Sequence, residues 1–372
     1  MLYLDNSATT PILMEVKEKM LTYLTEEYGN PSGKYYGLAE DAKKAVEEAR
    51  SHVSQLLGSY THEVIFTSGA TESNNMIVKG VADLYTDKGN HIITTKAEHN
   101  SILDICRFLE TKGIEVTYLD VDRFGRINIE DVEKAINDRT ILISIIWGNN
   151  ETGSLNPIKE IAELANKHQV LFHIDATQAV GKVEMNWHEH PGISFLSASA
   201  HKLFGPKGAG ITLIRSNKYK ELLPLTPLIH GGGQEHGIRS GTYAVHNIVG
   251  LGEAARLAKE RFDQNYNRLI ELEEHLLSIL HSKFGERIIL NSDSEDKIPG
   301  IINIRFKGLN NEVLLKKLST VIAASTGSAC SSAKPSHVLQ AMGLNLVEVR
   351  ESVRFSLSPY QTKEELDIFN QL

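Results

Sequence analysis

Cysteine is scarce: Cys106 and Cys330 are the only two among 372 residues. So few thiols do not make a disulfide scaffold, and a reducing cytoplasm is the expected compartment. No apolar run approaches the roughly 20 residues that span a bilayer, so no membrane partner is expected. The opening MLYLDNSATTP lacks a basic patch followed by an apolar core, and no signal peptide is expected. An excess of basic charge is also missing. Lys and Arg total 39 against 47 Asp and Glu, a formal net charge of −8, which argues against direct nucleic-acid binding. The chain has no internal repeat and no low-complexity tract. With 41% hydrophobic and 23% charged residues, it reads as a globular protein with a full core. Its length suits one large domain with a smaller one attached.

The first 60 residues hold a short extended opening that stops at Pro11, then helical patterns at 14–24 and 38–57 around a turn cluster at 28–33. From residue 63 the pattern alternates. Strand-like runs fall at 63–67, 91–95, 115–119, 140–147, 170–174, 193–197 and 209–214. Helical patterns at 71–84, 101–112 and 158–168 lie between several of them. Such alternation predicts an α/β layer with a mostly parallel sheet. After residue 250 a single long helix is predicted over 253–284, then strands at 301–306 and 352–357 in a second, smaller domain.

Lys202 lies in SASAHKLFGP, just after an apolar strand and just before Gly205, Pro206 and Gly208, which cannot continue a regular element. A lysine in a loop is by default a surface residue. Two other stretches argue against that default. Thr67–Glu72 links a strand to a helix start, where unpaired N–H groups and the helix dipole suit a phosphate, though plain N-capping is the alternative. Asp175 closes the apolar strand Val170–Ile174, where a carboxylate needs a partner; a helix-capping Asp is the alternative. A Schiff-base lysine, an acid for a pyridine nitrogen and a phosphate cradle are the parts that hold pyridoxal phosphate (PLP).

Other residues fit the same cofactor. Gln178 could reach its phenolic oxygen. His99, otherwise a core histidine, could stack on the ring and exchange protons. Asn149–Gly153 ends a strand where α/β ligands bind. The segment 230–242 holds five glycines in thirteen residues, with Arg239 and Thr242 suited to an anion. Small residues surround Cys330, unlike the apolar setting of a structural cysteine, whereas Cys106 sits in an apolar helical pattern and reads as core. Arg354 would be a solvated strand residue by default, but its guanidinium is suited to a substrate carboxylate.

These blocks resemble the cysteine desulfurases of the nitrogen-fixation and iron–sulfur-assembly group, in the class-V aminotransferase family. The match runs from Leu4–Pro11 through Thr67–Asn74, Glu98-His99, Asn149–Glu151, Asp175–Gln178, Ser199–Lys202 and Gly231–Gly233 to Ser328–Cys330 and Arg354–Ser356. The resemblance implies a fold-type-I PLP-dependent transferase: a mostly parallel seven-stranded sheet between helices, with a smaller α+β domain, in a homodimer. The expected division is 15–257 for the PLP-binding domain, and 1–14 with 258–372 for the small domain carrying the Cys330 loop.

By the same resemblance, Lys202 carries the cofactor, Asp175 pairs with its ring nitrogen, Gln178 bonds its ring oxygen, and His99 stacks and moves protons. Ala70, Thr71, Ser199 and His201 hold the phosphate, with Thr242 reaching it from the second subunit. Asn150 lies near cofactor and substrate, and Arg354 binds the carboxylate of L-cysteine. Cys330 accepts sulfur as a persulfide, leaving L-alanine, and passes it to an acceptor protein. No resident metal is expected, though Cys330 could ligate a transient iron–sulfur cluster. The stretch after Cys330 is shorter than in the iron–sulfur-assembly members, and the C-terminal extension those members use to dock a scaffold is not expected after Leu372. An acceptor that presents its own thiol close to the cleft is therefore expected. The rivals are a selenocysteine or cystine lyase, which would not need Cys330, and a catalytically silent interaction scaffold.

Overall fold

The computed structural model describes residues 1–327 and 335–371. Seven strands form one sheet in the spatial order Val64–Thr67, Gly210–Ile214, Phe195–Ser199, Leu171–Asp175, Thr140–Ile146, His91–Thr95, Glu115–Leu119. Five neighbouring strands are parallel, from Glu115–Leu119 through Phe195–Ser199. Gly210–Ile214 runs antiparallel to both of its neighbours. This is the mostly parallel α/β layer that the alternating pattern predicted.

Alternate side chains of these strands feed two separate apolar layers, as strand geometry requires. Phe66, Ile143, Ile145, Leu196 and Leu213 pack in one layer with helices Gly37–Leu57, Ile158–His168 and Val245–Glu260. Ile65, Ile92, Leu142, Phe195 and Ile214 pack in the other with Ala70–Leu84 and Asn100–Glu110, and Cys106 lies there, fully buried. A sheet covered on both faces carries continuous apolar runs, which is why its strands were legible. At Gly210 an added Cβ would lie 2.5 Å from the Gly69 Cα, so only glycine lets that strand pass the turn before Ala70.

A second sheet orders Ser352–Ser356, Ile301–Phe306 and Ile288–Leu290, all antiparallel. Its apolar face shares a cluster with Leu269, Leu272 and Leu276 of the helix Phe262–Phe284. Leu2 and Leu4 join that cluster, and Leu2–Tyr3 pairs in parallel with Ile322–Ala323. The start of the chain is thereby fixed in the second cluster, and Asp5 bridges Ser356 of the last strand.

Two predicted elements differ from the structure. The long helix is two helices, Val245–Glu260 and Phe262–Phe284, broken at Arg261 (φ −104°, ψ 13°), whose side chain pairs with Glu15 at 2.8 Å. The strand predicted at 193–197 is Phe195–Ser199. Ile193 belongs to a turn, its N–H bonding the His190 carbonyl. Ser197 is tolerated inside the sheet because its Oγ meets His173 Nε2 at 2.9 Å.

Candidate active site

Strands His91–Thr95, Thr140–Ile146, Leu171–Asp175 and Phe195–Ser199 are parallel, so their carboxyl ends share one edge of the sheet. There a cavity of about 500 Å³ opens, a volume suited to a small molecule. The predicted residues Ala70, Thr71, His99, Asn150, Asp175 and Gln178 line it, as do Ser199, His201, Lys202 and Arg354. Thr242 is exposed and lies outside this lining. Cys330 lies outside the described residues.

Lys202 ends a tight turn, Ala200–Lys202, that leaves its strand. Its Nζ donates to the carbonyls of Ser7 and Ala8, the latter at 2.6 Å, so the opening segment forms one wall of the site. Asp175 is buried, its Oδ2 accepting from Asn74 Nδ2 at 2.9 Å and its Oδ1 from the Thr177 N–H at 3.0 Å. A carboxylate can accept more bonds than these two. Asn74 Nδ2 also donates to Ser101 Oγ at 2.9 Å, and Ser101 Oγ contacts His99 Nδ1 at 2.9 Å. Asn74 was not among the predicted site residues, although it lies in a matched block.

His99 caps the helix Asn100–Glu110, its Nδ1 accepting from the Ser101 N–H at 3.1 Å. That bond assigns the imidazole proton to Nε2. Burial lowers the His99 pKa, as do Lys202 and His337, against the pull of Asp175, so the ring is held neutral. His201 is pushed down to about 4, by burial first and then by Lys202, Lys207 and Lys182. Two buried carboxyls flank the site. Glu98 is pushed up to about 8 by burial. Glu151, raised by burial, accepts from Ser336 Oγ at 2.6 Å.

Arg354 is buried, not solvated. It pairs with Asp5 Oδ1 at 2.6 Å and donates to the carbonyls of Asn150 and Gly327 at 2.8 and 3.3 Å. Arg239 has a protein partner rather than a free anion face: its guanidinium grips Glu72 at 2.7 and 3.1 Å. Sequence reasoning missed Asp5, Lys182 and His337 as well; His337 lines the cavity and donates from Nε2 to the Glu98 carbonyl at 2.8 Å.

The residues fit PLP. Four buried polar atoms on cavity-lining residues have no partner among the described residues: Ser7 Oγ, Asn150 Oδ1, Thr177 Oγ1 and Arg354 Nε. Orphans of this kind call for a polar ligand or water. The start of the helix Ala70–Leu84 lines the same cavity, and a helix N-terminus suits an anion.

Fold and site together define a PLP-dependent α/β enzyme. The family model for class-V aminotransferases matches residues 2–369, and the chain belongs to that family. Cysteine desulfurase IscS of Haemophilus influenzae (strain PittGG) is 45% identical over 370 residues, covering 98% of this chain and 90% of the relative. IscS of Buchnera aphidicola subsp. Schizaphis graminum is 42% identical over 369 residues, with the same coverage. Among solved structures, a NifS-like protein superimposes with a TM-score of 0.92 at 36% identity, covering 100% of this chain and 97% of the other. SspA in complex with cysteine gives 0.85 at 36% identity, covering 97% and 100%.

Proposed function

We infer that the protein is a PLP-dependent cysteine desulfurase that takes sulfur from L-cysteine onto Cys330 and leaves L-alanine. The observation that carries this reading is that Lys202, Asp175, His99 and Arg354 open onto one cavity, in a chain whose curated relatives are cysteine desulfurases.

Lys202 would hold the cofactor, and Asp175 would hold the proton on its ring nitrogen. Gln178 would bond its phenolic oxygen. Ala70, Thr71, Ser199 and His201 would hold the phosphate, with Thr242 supplied by a second copy of the chain. Bound PLP supplies an electron sink for the pair released at the substrate Cα. Arg354, steadied by Asp5, receives the substrate carboxylate, with Asn150 beside it. That anchor orients the amino acid toward Lys202. Once released, the Lys202 amine takes the Cα proton on Nζ. His99 enters as a proton donor from Nε2, since Nδ1 is committed to Ser101. The Cys330 thiolate attacks the substrate sulfur, forming an S–S bond as the C–S bond breaks.

The large domain is taken as 15–257, and the small one as 1–14 with 258–372. The separate apolar cluster that includes Leu2, Leu4 and Leu272 supports that division. The homodimer would bring Thr242 to a neighbouring site, and a reducing cytoplasm would keep Cys330 a thiol. An acceptor protein would remove the sulfur.

Cys330→Ala separates this reading from a lyase on the same fold. The variant should keep the yellow cofactor on Lys202 and release no sulfide. Turnover at the wild-type rate would favour the lyase.

A further inference from the structure

We propose that Lys182 is a positioning residue for the cofactor site, turning the amide of Gln178 toward the cavity and placing a second amine behind Lys202. Lys182 Nζ donates to Gln178 Oε1 at 3.2 Å. At the other end of that amide, Nε2 donates to the Ser7 carbonyl at 2.8 Å. The same carbonyl accepts from Lys202 Nζ. Lys182, Gln178, Ser7 and Lys202 therefore form one connected path.

An amide can rotate half a turn with almost no change in shape, so its neighbours decide which end presents N–H groups. Lysine can donate in either charge state. An ammonium that becomes an amine still offers N–H to Oε1, which keeps Nε2 on the Ser7 side. Replacing Lys182 by an apolar residue would remove that constraint and leave the buried Oε1 without its donor.

The two lysines also line one small cavity of about 40 Å³, room for about one water. Lys182 is half-buried as a residue, but its amino end is enclosed. Burial, then the charge of Lys202, lowers its pKa to about 7. Among the described residues, Lys202 and His201 interact with it electrostatically, and Tyr266 and Tyr360 line the same small cavity. Its charge therefore changes near neutral pH, beside the lysine that would carry the cofactor.

This inference rests on the cofactor reading above. The test is a pH titration of the visible band of the cofactor-loaded protein, which reads protonation at Lys202 without turnover. An N–H donor at the phenolic oxygen, and a positive charge nearby, both disfavour the protonated nitrogen at Lys202. Losing them raises its pKa. Lys182→Met should keep the cofactor and raise the midpoint by about one pH unit, the scale of one lost charge-assisted bond. Gln178→Ala should move it the same way, and the double variant by less than the sum of the two. Lys182→Gln, which keeps a donor but no charge, should fall between wild type and Lys182→Met. It carries the test if the methionine variant fails to load. An unchanged midpoint in both Lys182 variants, or full additivity in the double, overturns the proposal. A wild-type protein that takes up no cofactor would instead overturn the cofactor reading.

Discussion

Asp5 and Arg354 stand 349 positions apart in the chain, and their side chains meet at 2.6 Å on the wall of the cavity. Arg354 is almost wholly buried there, its side chain 1% exposed against 22% for Asp5. A buried guanidinium needs a countercharge, and Asp5 supplies it while leaving Nε without a protein partner among the described residues. Asp5 therefore aims the group that would receive the substrate carboxylate.

Asp5→Asn keeps the shape and removes that charge. A charge-assisted bond contributes about 1.5–3 kcal/mol, so KM for L-cysteine should rise about tenfold or more. The carbonyls of Asn150 and Gly327 still hold the guanidinium, so kcat should change much less. Steady-state kinetics checks this, and an unchanged KM contradicts it.

Arg239 and Glu72 make a second testable pair. Glu72 lies in the first turn of the helix Ala70–Leu84, beside the residues that would hold the phosphate. Without Arg239, a carboxylate next to a phosphate dianion would repel it. Arg239→Gln should weaken PLP binding about tenfold, measured by cofactor titration of the apoprotein. Pairing it with Glu72→Gln should recover part of the loss. Equal affinity in Arg239→Gln and wild type contradicts this.

Much of this fold was legible because its strands are covered on both faces and its helices carry amphipathic patterns. Cys106 read as core, and it is core. Ile288–Leu290 was not legible: three residues are too short for period to speak, and only pairing with Ile301–Phe306 makes them a strand. At the site, the residues found from sequence sit in short polar blocks at strand ends. Those missed depend on distant contacts. Nothing near Asp5 announces Arg354, and Lys182 looks like a surface lysine until Gln178 and the small cavity enclose it. Arg239 was read as an anion ligand because its partner Glu72, 167 positions away, belonged to another block.

Glu98 gives the chain a pH signature. Its carboxyl is fully buried; Oε1 accepts from Thr95 Oγ1 and the Ile146 N–H at 2.9 Å each, and Oε2 has no partner among the described residues. Burial raises the folded pKa to about 8, against about 4.3 for an ordinary glutamate. The folded state holds the proton more tightly. Its contribution to stability is therefore complete below about pH 4 and is lost as pH rises through about 8. Denaturation midpoints should show Glu98→Gln gaining on wild type by a few kcal/mol between about pH 5 and pH 9. A gap that does not change with pH contradicts this.

The central claim is that sulfur from L-cysteine passes to Cys330 and not to the other thiol. Cys106 is fully buried, and its pKa is pushed up to about 12 by burial, so it offers little thiolate. Peptide mass spectrometry after one turnover with L-cysteine tests the claim most directly. The account predicts one added sulfur on the Cys330 peptide and none on the Cys106 peptide. Sulfur on Cys106 alone, or on neither, would contradict it.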